Sequence, residues 1–276
     1  MNNFSWARPG ALTLVCALSL ALLTGCADGT AAQPSRPASP SVSAAPEVRA
    51  LSQKKLATLA LADGDLPMYK VREAPTDQLF HGSWDDVRIR GNKECKPLVQ
   101  VISLAPVGDA KAHVVRTAVK IPDVGPAAGA GAPDLGLKDM MALDSTAVTV
   151  ATYSGNDAEQ AMKNVTDAVE RCTKGYGGVD YTLPGKEEAS IYKVRAEKGA
   201  QAQGSDETIA FAVASDLIKQ TGPVAVTHCQ VVRHGNNLVS YMTMNMAKML
   251  DGKPYELDAA VVAFQSEKVT ERLGRL

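Results

Sequence analysis

From Asn156 to Cys172 apolar side chains return at helical spacing, with Ala158, Ala161, Met162, Val165, Ala168, Val169 and Cys172 on one stripe. Asn156 reads as the N-cap, and Glu159 three residues later completes a capping-box pattern. Lys174 suits the negative end of the helix dipole and Gly175 the terminating turn. A helix with a single apolar stripe must lie on a broad apolar surface. The chain supplies one as strand-length runs: Tyr69 to Glu73, Ala110 to Ile121, Ala142 to Tyr153, Ser190 to Ala196, Thr208 to Ala214, Val224 to Arg233 and Leu238 to Ala247. Neighbouring runs are joined by short turns, the sharpest being Arg233-His234-Gly235-Asn236-Asn237, which implies antiparallel pairing. Further helices are expected over 51–61, over 92–104 with Pro97 in the first turn, and over 256–273 after Pro254. The predicted fold class is α+β, an antiparallel sheet with helices packed on it.

The first 50 residues stand apart from that fold. Ala11 to Leu23 is an apolar run too short to span a bilayer as a stable helix, and Arg8 is the only charge before it. It ends in Leu23-Thr24-Gly25-Cys26, which resembles the bacterial lipobox: an apolar residue, two small residues, then a cysteine whose sulfur is the acyl acceptor. Residues 1–25 are therefore expected to be a lipoprotein signal peptide cut between Gly25 and Cys26, leaving Cys26 lipidated. Residues 26–50 are rich in Pro, Ser and Ala without apolar periodicity, and read as a solvated tether. That leaves 51–276 as a single folded domain. The expected location is the extracytoplasmic face of the cell membrane, with the membrane engaged through the lipid anchor.

Charge and composition exclude several functions. The chain carries 29 basic and 30 acidic residues, so nothing points to nucleic acid as a partner. Aromatics make up 5% of residues, too few for base- or sugar-stacking platforms. The histidines, His81, His113, His228 and His234, are dispersed, without HExxH or a zinc-type Cys/His spacing, so no metal is expected. His113 and His228 fall inside strands, where a core or cross-strand role is expected; His234 falls in the hairpin turn and is expected to be solvated. Gly129-Ala130-Gly131 opens a GxG, but position 134 is Asp and no strand–turn–helix context surrounds it. Ser52-Gln53-Lys54-Lys55 has SxxK spacing without its SDN and KTG partners. No GxSxG, P-loop or paired-carboxylate constellation is present, so the domain is read as non-catalytic, with no catalytic residue and no cofactor.

Cysteine usage is more informative. Cys16 leaves with the leader and Cys26 takes lipid, which places Cys95, Cys172 and Cys229 in an oxidising compartment with one bridge and one spare thiol. Cys172 ends the buried stripe of its helix, and Cys95 begins the apolar face of the 92–104 helix with Leu98, Ile102 and Ala105. Two helices on one sheet face bring Cys95 and Cys172 together; Cys172 with Cys229, helix to sheet, is the competing pair. If the hairpin turns at Gly235-Asn236, Cys229 stands across from Met242 as a packed thiol.

The order of these segments is similar to a known family. Asn92-Lys-Glu-Cys95-Lys-Pro-Leu98, Val148 to Tyr153 leading into a helix that ends Ala168-Val-Glu-Arg-Cys172, and Cys229-Gln-Val-Val-Arg-His-Gly-Asn-Asn-Leu-Val239 resemble the extracellular sensor domain of the mycobacterial PknH-type receptor kinases and related free-standing actinobacterial lipoproteins. Leu66-Pro67-Met68-Tyr69 looks like the “DLPGY” phrase of such lipoproteins, with Met68 in place of Gly. Two departures stand out: Val169 where the family tends to carry Trp, and Met242-Thr-Met-Asn-Met246 where a further cysteine usually follows the last strand. The resemblance spans about 60–275. It implies an α+β ligand-binding or sensory domain and favours Cys95–Cys172 as the bridge, leaving Cys229 free.

The expected function is a membrane-anchored lipoprotein that binds an unknown small molecule or envelope ligand. With no kinase domain in the sequence, any signal would pass to a separate membrane protein. The alternative is a carrier or chaperone of lipid or other cell-envelope components. It would need a large apolar cavity, for which Met242, Met244 and Met246 on one strand face are candidate lining, although ordinary core is the favoured reading of that stripe. An envelope hydrolase ranks third.

Overall fold

The computed structural model describes residues 49–74, 87–122, 137–174, 178–183, 188–215 and 225–275. Nine strands form one sheet: β1 (Tyr69–Glu73), β2 (Arg88–Gly91), β3 (Ala112–Lys120), β4 (Ser145–Thr152), β5 (Val179–Thr182), β6 (Glu188–Glu197), β7 (Glu207–Ser215), β8 (Ala225–His234) and β9 (Asn237–Met244). Their spatial order is β1-β3-β4-β9-β8-β7-β6-β5-β2, and every neighbouring pair is antiparallel. The helices are α1 (Gln53–Leu59), α2 (Lys96–Ile102, entered through a 3-10 turn at Lys93–Cys95), α3 (Leu137–Met141), α4 (Asp157–Lys174), α5 (Met246–Leu250) and α6 (Ala259–Leu273). The fold class is α+β.

Helices cover both faces of the sheet, and the strand sequences show why. On one face α2 and α4 bring Leu98, Val99, Met162, Val165 and Val169 onto Phe211, Val213, Cys229, Val231 and Leu238. On the other, α1 and α6 bring Leu56, Leu59, Val261, Val262 and Val269 onto Val148, Val150, Val232, Val239 and Tyr241. Each such side chain contributes on the order of 1.5–3 kcal/mol on burial. The central strands β4 and β9 are therefore buried on both sides and read as near-continuous apolar and threonine runs rather than alternating ones. Threonines are tolerated there because they are satisfied: the Thr146 and Thr243 hydroxyls bond each other at 2.9 Å across β4 and β9.

Element ends differ from the sequence reading where tertiary bonds intervene. The first helix stops at Leu59 rather than Leu61 because α6 draws the next residues into an extended segment. The Gln265 amide donates to Leu59 O at 2.8 Å and accepts from Leu61 N at 2.8 Å, while Lys268 Nζ donates to Ala60 O. The predicted strand over 238–247 ends at Met244, since the Asn245 side chain accepts from Lys248 N and caps α5. The last helix starts at Ala259, where the Asp258 carboxylate accepts from Ala260 and Val261 N–H groups. The Gly129-Ala130-Gly131 stretch lies outside the described residues.

Met68 occupies a left-handed conformation (φ 65°) with half its surface exposed. A side chain with a Cβ is disfavoured there, and glycine is not. Met68→Gly is expected to stabilise the domain by about 0.5–1 kcal/mol, the relieved strain exceeding the extra unfolded-state entropy. Urea unfolding checks this; a destabilised variant would show that Met68 packing outweighs its backbone cost.

Candidate functional site

The sheet is covered evenly on the α2/α4 face and unevenly on the α1/α6 face. In β6 a register shift between Ile191 and Lys193 puts Ile191 and Val194 together under the α4 side, leaving much of the remaining strand exposed. Cross-strand pairing carries Glu197 to Ala210 to Gln230, and Arg195 to Ala212 to His228, so these residues share the α1/α6 face. There a cleft of ≈ 830 Å³ opens between residues 195–200 and residues 248–259, lined in part by Glu197, Lys198, His228, Lys248, Tyr255 and Leu257. Its size lies in the range of small-molecule sites.

Its polar floor is the Glu197–His228 pair, with Nδ1 of His228 2.7 Å from Glu197 Oε2. A carboxylate accepts, so Nδ1 carries the proton and Nε2 is the ring nitrogen left for a ligand. Burial alone would raise the Glu197 carboxyl, but hydrogen bonds from His228 and Arg195 outweigh it and hold it below its usual range. The Tyr255 ring meets the imidazole edge-on at 4.9 Å between centroids, and its hydroxyl donates to Val226 O, fastening the 251–258 segment to β8. Two further cleft lysines are paired at the surface: Lys253 with Asp251 at 2.8 Å and Lys248 with Asp144 at 3.6 Å. Val226, Met249, Pro254 and Leu257 supply the apolar part of the lining.

One wall of the cleft is formed by residues 198–200, the start of a segment, 198–206, that reaches β7 through a turn at Gly204. The Gln230 side chain, fully buried, accepts from Ala200 N at 2.8 Å and donates to Ala200 O at 3.0 Å, imitating a strand partner. Gly199 permits this approach, because a Cβ there would stand 2.8 Å from Gln230 Oε1. Gly204 has φ +70°, and a Cβ on it would stand 2.5 Å from Thr270 Oγ1 of α6.

Other sequence-predicted residues lie elsewhere. Gly25, Cys26 and His81 fall outside the described residues. Cys95 and Cys172 are joined by a disulfide with their Cα atoms 6.1 Å apart, linking the 3-10 turn before α2 to the end of α4. Cys229 is a buried free thiol facing the α4 side across from Met242, and burial, with the Glu197 charge adding, pushes its pKa up. The three-methionine stripe does not form. Met242 and Met244 join the α2/α4 core, opposite the cleft, and Met246 opens α5 after the Asn245 cap. His113 is exposed on β3. His234 is not solvated but 2% exposed, as the last residue of β8, covered by the Gly204 turn and Thr270. Among the described residues no group of three or more His, Cys, Asp or Glu is placed to hold a metal. The Glu197–His228 pair escaped the sequence reading: 31 residues separate its members, and only the β6-β7-β8 ladder brings them together.

Fold and site together define an antiparallel α+β domain with a polar cleft beside its central strands. No protein-family model matches the chain, and no curated protein matches it in sequence. Among solved structures it is similar to the extracellular domain of PknH from Mycobacterium tuberculosis, with a TM-score of 0.45 and 11% identity over 83% of this chain and 99% of that one. It is also similar to an uncharacterized protein from Mycobacterium smegmatis (Rv0999 ortholog), with a TM-score of 0.30 and 13% identity over 81% of this chain and 95% of that one.

Proposed function

We propose that the chain is an extracytoplasmic lipoprotein, anchored through Cys26, whose domain binds a small molecule or envelope component in the β6–β8 cleft without transforming it. The observation that carries the reading is the cleft floor. Glu197 orients an imidazole whose Nε2 is left for a ligand, beside an apolar shelf of Val226, Met249 and Leu257. An imidazole nitrogen forms a hydrogen bond in either protonation state and Lys198 donates one, so a polar ligand carrying at least one acceptor fits. None of the residues lining the cleft is Ser, Thr or Cys, and Glu197, one of its two carboxylates, is committed to two donors, which favours binding over covalent chemistry. An anchored binding domain passes its signal to a separate membrane protein. The leader, the Leu23-Thr24-Gly25-Cys26 site and the Pro/Ser/Ala-rich tether support the anchor.

The test is a footprint on His228. Diethylpyrocarbonate is expected to carbethoxylate Nε2 of His228 in the purified domain while buried His234 stays unmodified, as read by peptide mass spectrometry. Envelope extract fractions containing the ligand slow modification of His228 selectively. If no fraction changes that rate, the cleft is not the binding site.

A further inference from the structure

We infer that His234 is an acid-sensitive latch: in its neutral form it holds the Gly204 turn of segment 198–206 against α6, and at acidic pH that turn lifts and loosens the segment whose first residues wall the cleft. The inference starts from hydrogen-bond capacity. His234 Nδ1 lies 3.2 Å from Gly204 O and 3.5 Å from Thr270 Oγ1. A carbonyl can only accept, so Nδ1 carries the hydrogen of the neutral ring and Nε2 is bare. Nε2 is sealed from solvent with no hydrogen-bond partner, and so is Oδ1 of Asn237, directly across the hairpin. A second proton on the ring must go to Nε2, where it would be a buried, unpartnered N–H on a cation.

The imidazole touches Gly204, and the first residues of the same segment, 198–200, wall the cleft. The segment is held at three points: the Gln230 amide on Ala200, the His234 ring on Gly204, and Asp206, whose N–H donates to Arg233 O at 2.9 Å and whose carboxylate accepts from Gly235 N at 2.6 Å. Thr270 Oγ1 lies 3.2 Å from Gln203 O and makes its shorter bond, 2.9 Å, to Ser266 O. The second point is made by an imidazole, the side chain whose ordinary value, about 6.5, lies between pH 5.0 and 7.5. The charged groups nearest the ring are Asp206 in the segment itself and Arg233, its neighbour in β8; α6 presents uncharged Thr270 and β9 uncharged Asn237. Arg233 is engaged by Asp206 and Glu207. Burial holds the imidazole below the usual histidine value, and the Gly204 carbonyl and Asp206 offset this only in part.

The sign follows from linkage. With the segment lifted the ring meets water and takes its proton more readily than when latched. The open form therefore gains as pH falls below about 6.5, by up to about tenfold per pH unit, until the latched ring itself protonates. The latch stands without a ligand; only its consequence for ligand access rests on the cleft reading.

Hydrogen exchange of the whole folded domain at pH 7.5 and 5.0, corrected for intrinsic rates, tests it. Peptides covering 198–206 are expected to lose protection at pH 5.0 by about tenfold or more, while those covering β8 and β9 keep theirs. His234→Gln, whose amide can donate to Gly204 O and does not titrate, is expected to remove the pH dependence. Equal protection at both pH values overturns the latch, as does an unchanged loss in His234→Gln. Should that variant not fold, the His234 imidazole is followed by carbon NMR in the wild-type chain. Its titration must then coincide with the opening of 198–206, and opening while the ring stays neutral, or titration without opening, overturns the proposal. No ligand enters these measurements, so their failure and failure of the His228 footprint are separate results.

Discussion

Removing the Cys95–Cys172 bridge is expected to lower the unfolding free energy of the domain by up to about 4.5 kcal/mol, the chain-entropy value for a loop of this length. The bridge closes a separation of 77 residues, which includes β3, β4 and most of α4, so its loss frees a large part of the unfolded chain. The loss falls short of that ceiling if reduced chains retain structure, because both ends sit on packed elements. Leu98 and Val99 of α2 and Val165 and Val169 of α4 belong to one core with or without the bond. The neighbouring Arg171–Glu94 ion pair is more than half exposed and holds little in its place. Urea unfolding of oxidised and reduced protein, and of the Cys95→Ala/Cys172→Ala variant, measures the difference. Non-reducing peptide mapping comes first: a crosslinked peptide containing Cys229 would contradict the arrangement. The bridge lies on the face away from the cleft, so reactivity of His228 is expected to survive its removal. A parallel loss of both would mean that the two faces are coupled through the sheet.

How much of this was legible in the sequence depends on the range of the signal. The α4 stripe from Ala158 to Cys172 and the Gly235-Asn236 turn are local patterns, and the structure has a helix at Asp157–Lys174 and a two-residue turn between His234 and Asn237. Strands β2 and β5, four residues each, and helices α3 and α5, five each, are too short to show a period, and none was anticipated. Their identity comes from partners: β2 exists because Arg88 to Gly91 lie along β5 at the sheet edge. The cleft was illegible for the same reason. Glu197 sits among ordinary surface charges in the sequence, and its meaning arises from a ladder that passes through β7 to His228. His234 shows the opposite error. A histidine next to Gly235 reads as a turn residue, yet as the last position of β8 it points under Gly204, and glycine is what lets the turn come close enough to bury it. The local code placed elements, and long-range contact placed the chemistry.

Replacing Cys26 by alanine is expected to move nearly all of the protein from the membrane fraction to the soluble one. The acyl acceptor is the cysteine sulfur, and alanine offers none. The anchor would supply about 0.8 kcal/mol per buried CH₂, so two or three long chains hold a protein to a bilayer where a single myristoyl chain holds it only marginally. Among the described residues no helix is long and apolar enough to cross a membrane. The large exposed apolar side chains there, Met68, Tyr192, Val226 and Leu250, lie on separate segments. Attachment therefore depends on Cys26 in this reading, and the effect is close to all-or-none. Fractionation without detergent, with intact-mass measurement of the wild-type N-terminus, checks both halves of the argument: the wild type must carry acyl mass on Cys26 and require detergent, and the variant must do neither. A variant that still needs detergent would show that something other than the lipid holds the chain to the membrane. It would leave the cleft and its latch as properties of a domain with a different address.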